Sequence, residues 1–174
     1  MPANSPPPIS PDTTIDLAKE YLKFSAAHFT IFSATERERL HGHNFRVAAR
    51  LRAPVGPDGL CFSYGDFKAK LRALCTALDE YMILPKHSPH LKIHREQDEY
   101  RVQFHTEEMR FLSADCLLLP IRNTTVEEFA AYLLQQLLAD PDINRYALHE
   151  IELSVSSGPG QSGTRRWRHP DFTG

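Results

Sequence analysis

Residues 43–53 alternate between apolar and polar side chains, and this pattern constrains the fold more than any other part of the chain. The apolar parity holds Phe45, Val47, Ala49 and Leu51, whereas the other parity holds Asn44, Arg46, Ala48 and Arg50. Successive side chains of a strand point to opposite faces, so the segment predicts a strand with one buried face. Residues 21–32, with Phe24, Ala26 and His28 on one parity, predict a neighbouring strand.

Two helices and several shorter strands are predicted around this pair. Helical spacing of apolar residues predicts one helix between 63 and 79, capped by Ser63, and a second over 126–139, capped by Thr124 or Thr125. Extended segments at 91–96 and 100–105 predict a hairpin, and further strands are expected at 109–119, 148–156 and 164–168. This order of elements predicts an α+β fold with a mainly antiparallel sheet.

The composition excludes several classes of protein. With 20 Lys+Arg against 22 Asp+Glu, the net charge is −2, so binding to nucleic acid through bulk charge is not expected. No run approaches the roughly 20 apolar residues of a membrane span, so no membrane partner is expected. The 3 cysteines form no C-x-x-C pair, which excludes a thiolate zinc site and suits a reducing, cytoplasmic compartment.

The first fourteen residues differ in composition from the rest. They contain five prolines and have neither the basic nor the apolar region of a secretory signal. We expect residues 1–14 to form a disordered arm and residues 15–174 to form a single domain.

Nine histidines make a metal site the first functional hypothesis. In His41-Gly42-His43 both imidazoles point to one face of a strand, and His28 lies on the predicted neighbouring strand. Three imidazoles around one ion, with a fourth position open, are typical of catalytic zinc. From the residues alone, an H-x-H pair on the surface by accident remains an open alternative.

A rival histidine group lies in the middle of the chain. Pro85 and Pro89 prevent a regular helix there, so the spacing does not place the rings on one face. We interpret these residues as solvated loop and hairpin histidines; they are His87, His90, His94 and His105.

Five motifs in order resemble those of the 6-pyruvoyltetrahydropterin synthase and 6-carboxytetrahydropterin synthase family. They are Phe24-Ser-Ala-Ala-His28, Leu40-His-Gly-His-Asn-Phe45, Leu78-Asp79, Asn123-Thr-Thr-Val-Glu127 and Val155-Ser-Ser-Gly-Pro-Gly-Gln-Ser162. The resemblance implies a tunnelling fold, with an antiparallel sheet carrying two helices on one face, here with an extra β-hairpin. It also implies trimers that stack into hexamers, with active sites at subunit interfaces.

The resemblance further implies a chemistry. The substrate would be 7,8-dihydroneopterin triphosphate, whose side-chain hydroxyls bind a zinc ion held by His28, His41 and His43. The family's glutamate in the segment that opens the second helix is retained as Glu127.

Three positions depart from the family pattern. The family's usual catalytic cysteine is replaced by Arg37, its Asp-His pair appears as Asp79-Glu80, and its pterin-clamping glutamate falls at Ser157. These departures leave open which residue acts as the base and which binds the pterin ring.

Glu38 is one candidate base. It gives the sequence E-x-x-H-G-H, a spacing that resembles a family branch associated with cleavage to 6-hydroxymethyl-7,8-dihydropterin, a folate precursor. We expect burial to raise its pKa toward neutrality, with the zinc charge opposing that shift. The alternative is that Glu38 is one solvated charge of the run 36–39. Glu80 beside Asp79 is a second candidate, with a surface acid as its alternative.

Arginines are the natural partners of a triphosphate, and Arg46 or Arg37 is the first choice among Arg37, Arg39, Arg46, Arg165 and Arg166. The sequence therefore predicts a zinc-dependent pterin lyase. Its product would be a 6-carboxy-pterin, as for queuosine-type deazapurines, a 6-pyruvoyl-pterin or a 6-hydroxymethyl-pterin. The alternative is a metal-binding homologue that serves as a binding or regulatory subunit.

Overall fold

The computed structural model describes residues 11–172 of the chain. Its helices are α1 (Tyr64–Thr76) and α2 (Val126–Ala139). Its strands are β1 (Asp12–Leu17), β2 (Lys23–His28), β3 (His41–Pro54), β4 (Tyr81–Pro85), β5 (Leu91–Glu96), β6 (Glu99–Phe104), β7 (Glu107–Leu112), β8 (Cys116–Leu119), β9 (Glu150–Gly158) and β10 (Gln161–Arg168). Within residues 11–172, no helix is long and apolar enough to cross a membrane.

Strand β3 organises the main sheet. Its first half pairs with β2 and its second half with β1, both antiparallel, while β9 pairs along its other edge. The seven-stranded sheet has the order β10-β9-β3-β2-β4-β8, with β1 beside the second half of β3. The pairings of β4 with β2 and with β8 are parallel, and the rest are antiparallel. The predicted α+β fold with a mainly antiparallel sheet is confirmed.

Aromatic rings join α2 to the sheet. The ring of Phe129 lies 4.9 Å from that of Phe45 and 5.5 Å from that of Phe24, measured between centroids. Leu133 and Leu137, one and two turns further along α2, are buried in the same core. The apolar parity predicted for β3 faces this core, so the alternation of residues 43–53 is explained by helix packing.

A second, three-stranded antiparallel sheet has the order β5-β6-β7. It packs on a smaller buried cluster, which holds Phe29, Ile31, Met82, Leu84, Val102, Phe104 and Cys116. The predicted hairpin is therefore two strands of a larger unit. The single strand predicted at 109–119 is wrong, because a 3-10 turn at Ser113–Asp115 divides it into β7 and β8, which join different sheets.

The structure corrects two other predictions, one at the start of strand β1 and one at the end of strand β4. Strand β1 begins at Asp12 and pairs with β3, so residues 12–14 of the predicted arm are part of the sheet; residues 1–10 lie outside the described residues. Pro85 was expected only to prevent a regular helix, but Leu84 and Pro85 complete the strand β4. Four successive residues of β4 are buried, so the strand shows no alternation to reveal it.

Candidate metal centre and its cavity

The register of β2 and β3 brings three histidines together on one face of the sheet. His28 pairs directly with His41, and Ala26 pairs with His43. The possible ligand atoms of His28, His41 and His43 all lie within 4.8 Å of one another, and the Nε2 atoms of His41 and His43 are 3.1 Å apart. Within residues 11–172 this is the one group of three or more His, Cys, Asp or Glu residues that could hold a metal ion.

Backbone carbonyl oxygens set the tautomer of two of these rings. Nδ1 of His28 lies 2.9 Å from the carbonyl oxygen of Thr124, and Nδ1 of His41 lies 2.7 Å from that of Arg39. Because a carbonyl oxygen can only accept, each Nδ1 carries the proton and each Nε2 offers its lone pair. Metal-binding histidines are commonly oriented by such a bond to their other nitrogen.

His28 fits a metal ligand most clearly. Its side chain is 4% exposed, and its buried Nε2 has no hydrogen-bond partner among the described residues. Burial lowers the pKa of His28 to about 4, despite the bond to Thr124, so the ring is neutral at physiological pH. An unpartnered buried nitrogen is costly unless something accepts its lone pair, and a metal ion bound also by His41 and His43 would do so.

The segment that precedes α2 holds His28 in place. The hydroxyl of Thr124, which is fully buried, donates to the carbonyl oxygen of Phe29 at 2.7 Å. The side chain of Asn123 pairs with both backbone groups of Ile31, at 3.1 Å and 2.8 Å. Thr125 is the N-cap of α2, and its side chain accepts from the backbone N–H of Glu128. This contact between 123–125 and 28–31 escaped the sequence interpretation because it uses backbone atoms, which leave no residue pattern.

Glu38 lies next to the histidines. One carboxylate oxygen is 3.9 Å from Nε2 of His41 and accepts a hydrogen bond from the backbone N–H of Thr30 at 3.0 Å. Partial burial pushes the pKa of Glu38 upward, but the Thr30 N–H and the neighbouring imidazoles outweigh it and hold this pKa below its usual value. The expected rise toward neutrality is therefore wrong, because the sequence does not show the Thr30 hydrogen bond.

A cavity of about 250 Å³ surrounds this group. Its lining includes the three histidines together with Thr30, Phe32, Glu38, Phe45, Thr124, Thr125, Val126, Glu127, Ser157 and Gln161. The structure thus brings Glu38, Glu127 and Ser157 to the histidines, as well as one exposed aromatic ring, Phe32.

Other predicted site residues lie elsewhere. Asp79 and Glu80 follow α1, where the carboxylate of Asp79 accepts from the backbone N–H of Ser25, and neither lines the cavity. The alternation of β3 directs Arg46 to the face opposite His43, into a different groove. Arg37 does not line the cavity and pairs with Glu107.

The other candidate ligands and phosphate contacts are not part of this centre. Arg166 pairs with Glu152 on the outer face of the sheet, and Arg39 and Arg165 do not line the cavity. The rival histidines do not line it either, and all four are exposed; they are His87, His90, His94 and His105.

The fold is that of the pterin synthase-like proteins. A family model described as 6-pyruvoyl tetrahydropterin synthase matches residues 17–161, so the chain belongs to the 6-pyruvoyl tetrahydropterin synthase family. The resemblance read from the five motifs is confirmed.

Individual relatives cover nearly the whole chain. The 6-pyruvoyl tetrahydropterin synthase of Plasmodium vivax is 31% identical, with a TM-score of 0.86 over 91% of this chain and 99% of that chain. The Plasmodium falciparum enzyme is 30% identical, with a TM-score of 0.87 over 92% of this chain and 100% of that chain. A protein of Methanocaldococcus jannaschii, provisionally named 6-carboxy-5,6,7,8-tetrahydropterin synthase, is 28% identical over 83% of this chain and 90% of its own length.

Two further structures of the Plasmodium vivax enzyme carry a replaced catalytic residue. A catalytic glutamate is changed to alanine in one and to cysteine in the other. These structures superpose on this chain as closely as the unmodified enzyme, each with a TM-score of 0.86.

Proposed function

We propose that the protein is a zinc-dependent lyase that acts on 7,8-dihydroneopterin triphosphate and uses Glu38 as its base. The observation that carries this proposal is the position of Glu38, whose carboxylate lies 3.9 Å from Nε2 of His41 in the cavity of the three histidines. His28, His41 and His43 would hold the zinc ion, which would supply Lewis acidity toward the hydroxyls of the substrate side chain.

Glu38 is suited to accept a proton in this cavity. Its low pKa keeps the carboxylate ionised at neutral pH, and the Thr30 N–H fixes one of its oxygens. Deprotonation of a side-chain hydroxyl lets the adjacent carbon–carbon bond break, with the hydroxyl carbon becoming an aldehyde and the released carbon taking up a proton. The catalytic glutamate of the Plasmodium vivax enzyme supports a carboxylate in this role.

We favour 6-hydroxymethyl-7,8-dihydropterin as the product, together with a triphosphorylated two-carbon aldehyde. The 6-carboxy and 6-pyruvoyl products follow, in the family, from a cysteine at the position of Arg37, and no cysteine lines this cavity in the described part of the chain. This product would place the protein in folate rather than queuosine synthesis.

Glu127 and Ser157 are the proposed contacts to the pterin ring. Glu127 lies in the first turn of α2, where its carboxylate can accept from the ring's amino and N–H groups, and Ser157 lines the same cavity. Arg46 has no such support, because it lies on the other face of the sheet.

The protein is proposed to be a homo-oligomer, a trimer or hexamer, in a reducing cytoplasmic compartment. Phe32, which lines the cavity, and Leu40, next to His41, are 60% and 48% exposed, and we propose that a neighbouring subunit covers them. In such an assembly Asp79 and Glu80 could reach the cavity of a neighbouring subunit. The three cysteines are all free, which suits a reducing compartment.

Incubation of the zinc-loaded protein with 7,8-dihydroneopterin triphosphate, followed by mass spectrometry, tests the proposal. We expect the 6-hydroxymethyl product and the two-carbon aldehyde in equal amounts. Tight pterin binding without turnover would instead support the second candidate, a binding or regulatory subunit, which the substitutions at Arg37, Glu80 and Ser157 favour.

A further inference from the structure

Arg37 connects the loop of Glu38 to the second sheet. Its Nη1 donates to the carbonyl oxygen of Glu38 at 2.9 Å, and its Nε donates to Oε2 of Glu107 at 3.0 Å. Nη2 donates to the same oxygen of Glu107. Glu107 is the first residue of β7, so one side chain links the candidate base to a strand that takes no part in the cavity.

Two aromatic rings lie against the guanidinium of Arg37. Its central carbon lies 5.1 Å from the ring centroid of Phe29 and 5.7 Å from that of Phe104. Both rings are buried in the cluster beneath the second sheet, and the Arg37 side chain is only 18% exposed. A planar guanidinium can stack on aromatic rings while its N–H groups donate in fixed directions within its plane, whereas an ammonium group has no plane that could stack.

Glu38 itself is tied to Thr30 at two points. Its backbone N–H donates to the carbonyl oxygen of Thr30 at 2.8 Å, and its carboxylate accepts from the N–H of Thr30 at 3.0 Å. A shift of the Glu38 backbone would therefore strain both bonds and move the carboxylate relative to His41. Arg37, which does not line the cavity, holds this backbone at its carbonyl oxygen.

We infer that Arg37 and Glu107 form a strut that holds the Glu38 carboxylate beside His41, so that Arg37 is a positioning residue for the reaction. The inference rests on the proposed role of Glu38. Glu107 is 55% exposed, and exposed ion pairs contribute little to stability, so the pair acts on the position of the loop more than on the stability of the fold. The residue at the family's cysteine position thus serves the base without touching the substrate.

Amide hydrogen exchange, measured by NMR, tests the strut without any need for turnover. The variants are Glu107→Gln, Arg37→Lys and Arg37→Met, and the control is Arg110→Gln, which removes an exposed ion pair of the same sheet. We expect exchange at the amides of Thr30 and Glu38 to rise roughly tenfold in Glu107→Gln and Arg37→Met, with a smaller rise in Arg37→Lys. We expect the amides of Thr30 and Glu38 to exchange at the parent's rate in the control Arg110→Gln. We expect every variant to bind as much metal as the parent.

Kinetics on 7,8-dihydroneopterin triphosphate complete the test. A misplaced base lowers kcat, so Glu107→Gln should lose roughly tenfold in kcat with little change in KM or melting temperature. Glu107→Gln keeps the contacts of Arg37 with Phe29 and Phe104, so it remains informative if Arg37→Met does not fold.

The outcomes separate the strut from the lyase. Parent-like exchange at Thr30 and Glu38 in both Glu107→Gln and Arg37→Met would overturn the strut. Faster exchange with parent-like kcat would overturn the positioning role. A parent protein without turnover would contradict the lyase proposal, and the exchange rates would still decide whether the strut holds the loop.

Discussion

The carbonyl oxygen of Thr124 accepts a hydrogen bond from Nδ1 of His28 at 2.9 Å, across 96 positions of the sequence. Thr124 directly precedes the N-cap of α2, so the start of this helix orients a histidine of β2. The helix that covers the core therefore also sets the direction in which Nε2 of His28 points. The packing of α2 and the orientation of the candidate metal ligand His28 depend on the same contact.

Replacement of His28 by alanine should remove the metal ion. Loss of one of three imidazoles leaves too few ligands for tight binding at an open site, so dialysed protein should lose most of its zinc. Elemental analysis of the parent and the variant measures this loss. His94→Ala, at an exposed position of β5, is the matched control and should keep its zinc. Full zinc content in the His28 variant would contradict the assignment.

Replacement of Glu38 by glutamine should abolish most of the turnover but keep the metal. Loss of a general base costs roughly 10²–10⁴-fold in kcat, whereas glutamine preserves the shape of the side chain. Glu36→Gln, two residues earlier on the exposed part of the same loop, should keep parent-like kinetics.

Glu80→Gln and Asp79→Asn test whether the rival candidate, Glu80 beside Asp79, acts as the base instead of Glu38. If Glu38 is the base, kcat should fall far less in the Glu80→Gln variant than in the Glu38→Gln variant. An unchanged rate in Glu38→Gln together with a large loss in Glu80→Gln would move the base to the residues that follow α1.

The sequence predicted the parts of this molecule that repeat with a fixed period. The alternation of residues 43–53 gave β3, and the apolar stripe of α2 gave its bounds, Val126–Ala139. Strand β4 was missed because it is buried on both faces and lies between two parallel neighbours. Local patterns report the face of an element but not its partners.

The candidate site likewise has residues that the sequence pattern predicts and contacts that it does not. His28, His41 and His43 could be predicted together because strand pairing places them by rule. The lowered pKa of Glu38 and the role of Arg37 could not, because the first depends on the N–H of Thr30 and the second on Glu107 of another sheet. Contacts between distant backbone and side-chain atoms are visible only in the folded chain.

Gly163→Ala should displace the start of α2. A Cβ atom at Gly163 would lie 2.8 Å from the backbone nitrogen of Glu127 and 2.9 Å from the carbonyl carbon of Val126, so the helix would have to move. Overpacking of this kind costs about 1–3 kcal/mol in the free energy of unfolding. It should also weaken zinc binding, because the segment before α2 carries the carbonyl oxygen that orients His28.

Gly158→Ala is the control for this substitution. A Cβ atom at Gly158, on the neighbouring strand β9, would have no atom within 4 Å. Chemical denaturation and zinc titration of both variants make the comparison. Equal stability and equal zinc affinity in the two variants would show that the close approach of α2 to β10 does not matter.

Glu128→Gln should lower stability in a manner that depends on pH. Desolvation alone would raise the pKa of Glu128, but hydrogen bonds from the backbone and side chain of Arg122 outweigh it and lower this pKa below its usual value. A carboxylate with a lowered folded-state pKa stabilises the fold above its unfolded pKa of about 4.3, and this stabilisation is lost as the pH falls through the folded pKa.

The difference in unfolding free energy between parent and Glu128→Gln should be about 1 kcal/mol at pH 7, because Arg122 is 71% exposed and water screens the pair. This difference in free energy should shrink as the pH falls below the pKa of the Glu128 carboxyl in the unfolded state. Urea denaturation at neutral and acidic pH measures it, with Glu108→Gln, from an exposed ion pair, as the control. A free-energy difference that grows as the pH falls would contradict the lowered pKa of Glu128.

Alkylation of the cysteines should leave the turnover intact, since no thiol belongs to the proposed mechanism. Burial raises the pKa of Cys75 to about 12 and that of Cys116 to about 11, and both side chains are buried in the core clusters, so neither forms a reactive thiolate at neutral pH. Cys61 is half-buried and its pKa is also raised by desolvation, so it should react slowly.

Treatment of the native protein with iodoacetamide tests this prediction. Mass spectrometry locates the adducts, and the extent of modification is compared with the rate of product formation. Cys61→Ser serves as the control for modification at that residue. Loss of turnover in proportion to modification of any cysteine would contradict a mechanism based on Glu38 and would restore a thiol to the chemistry.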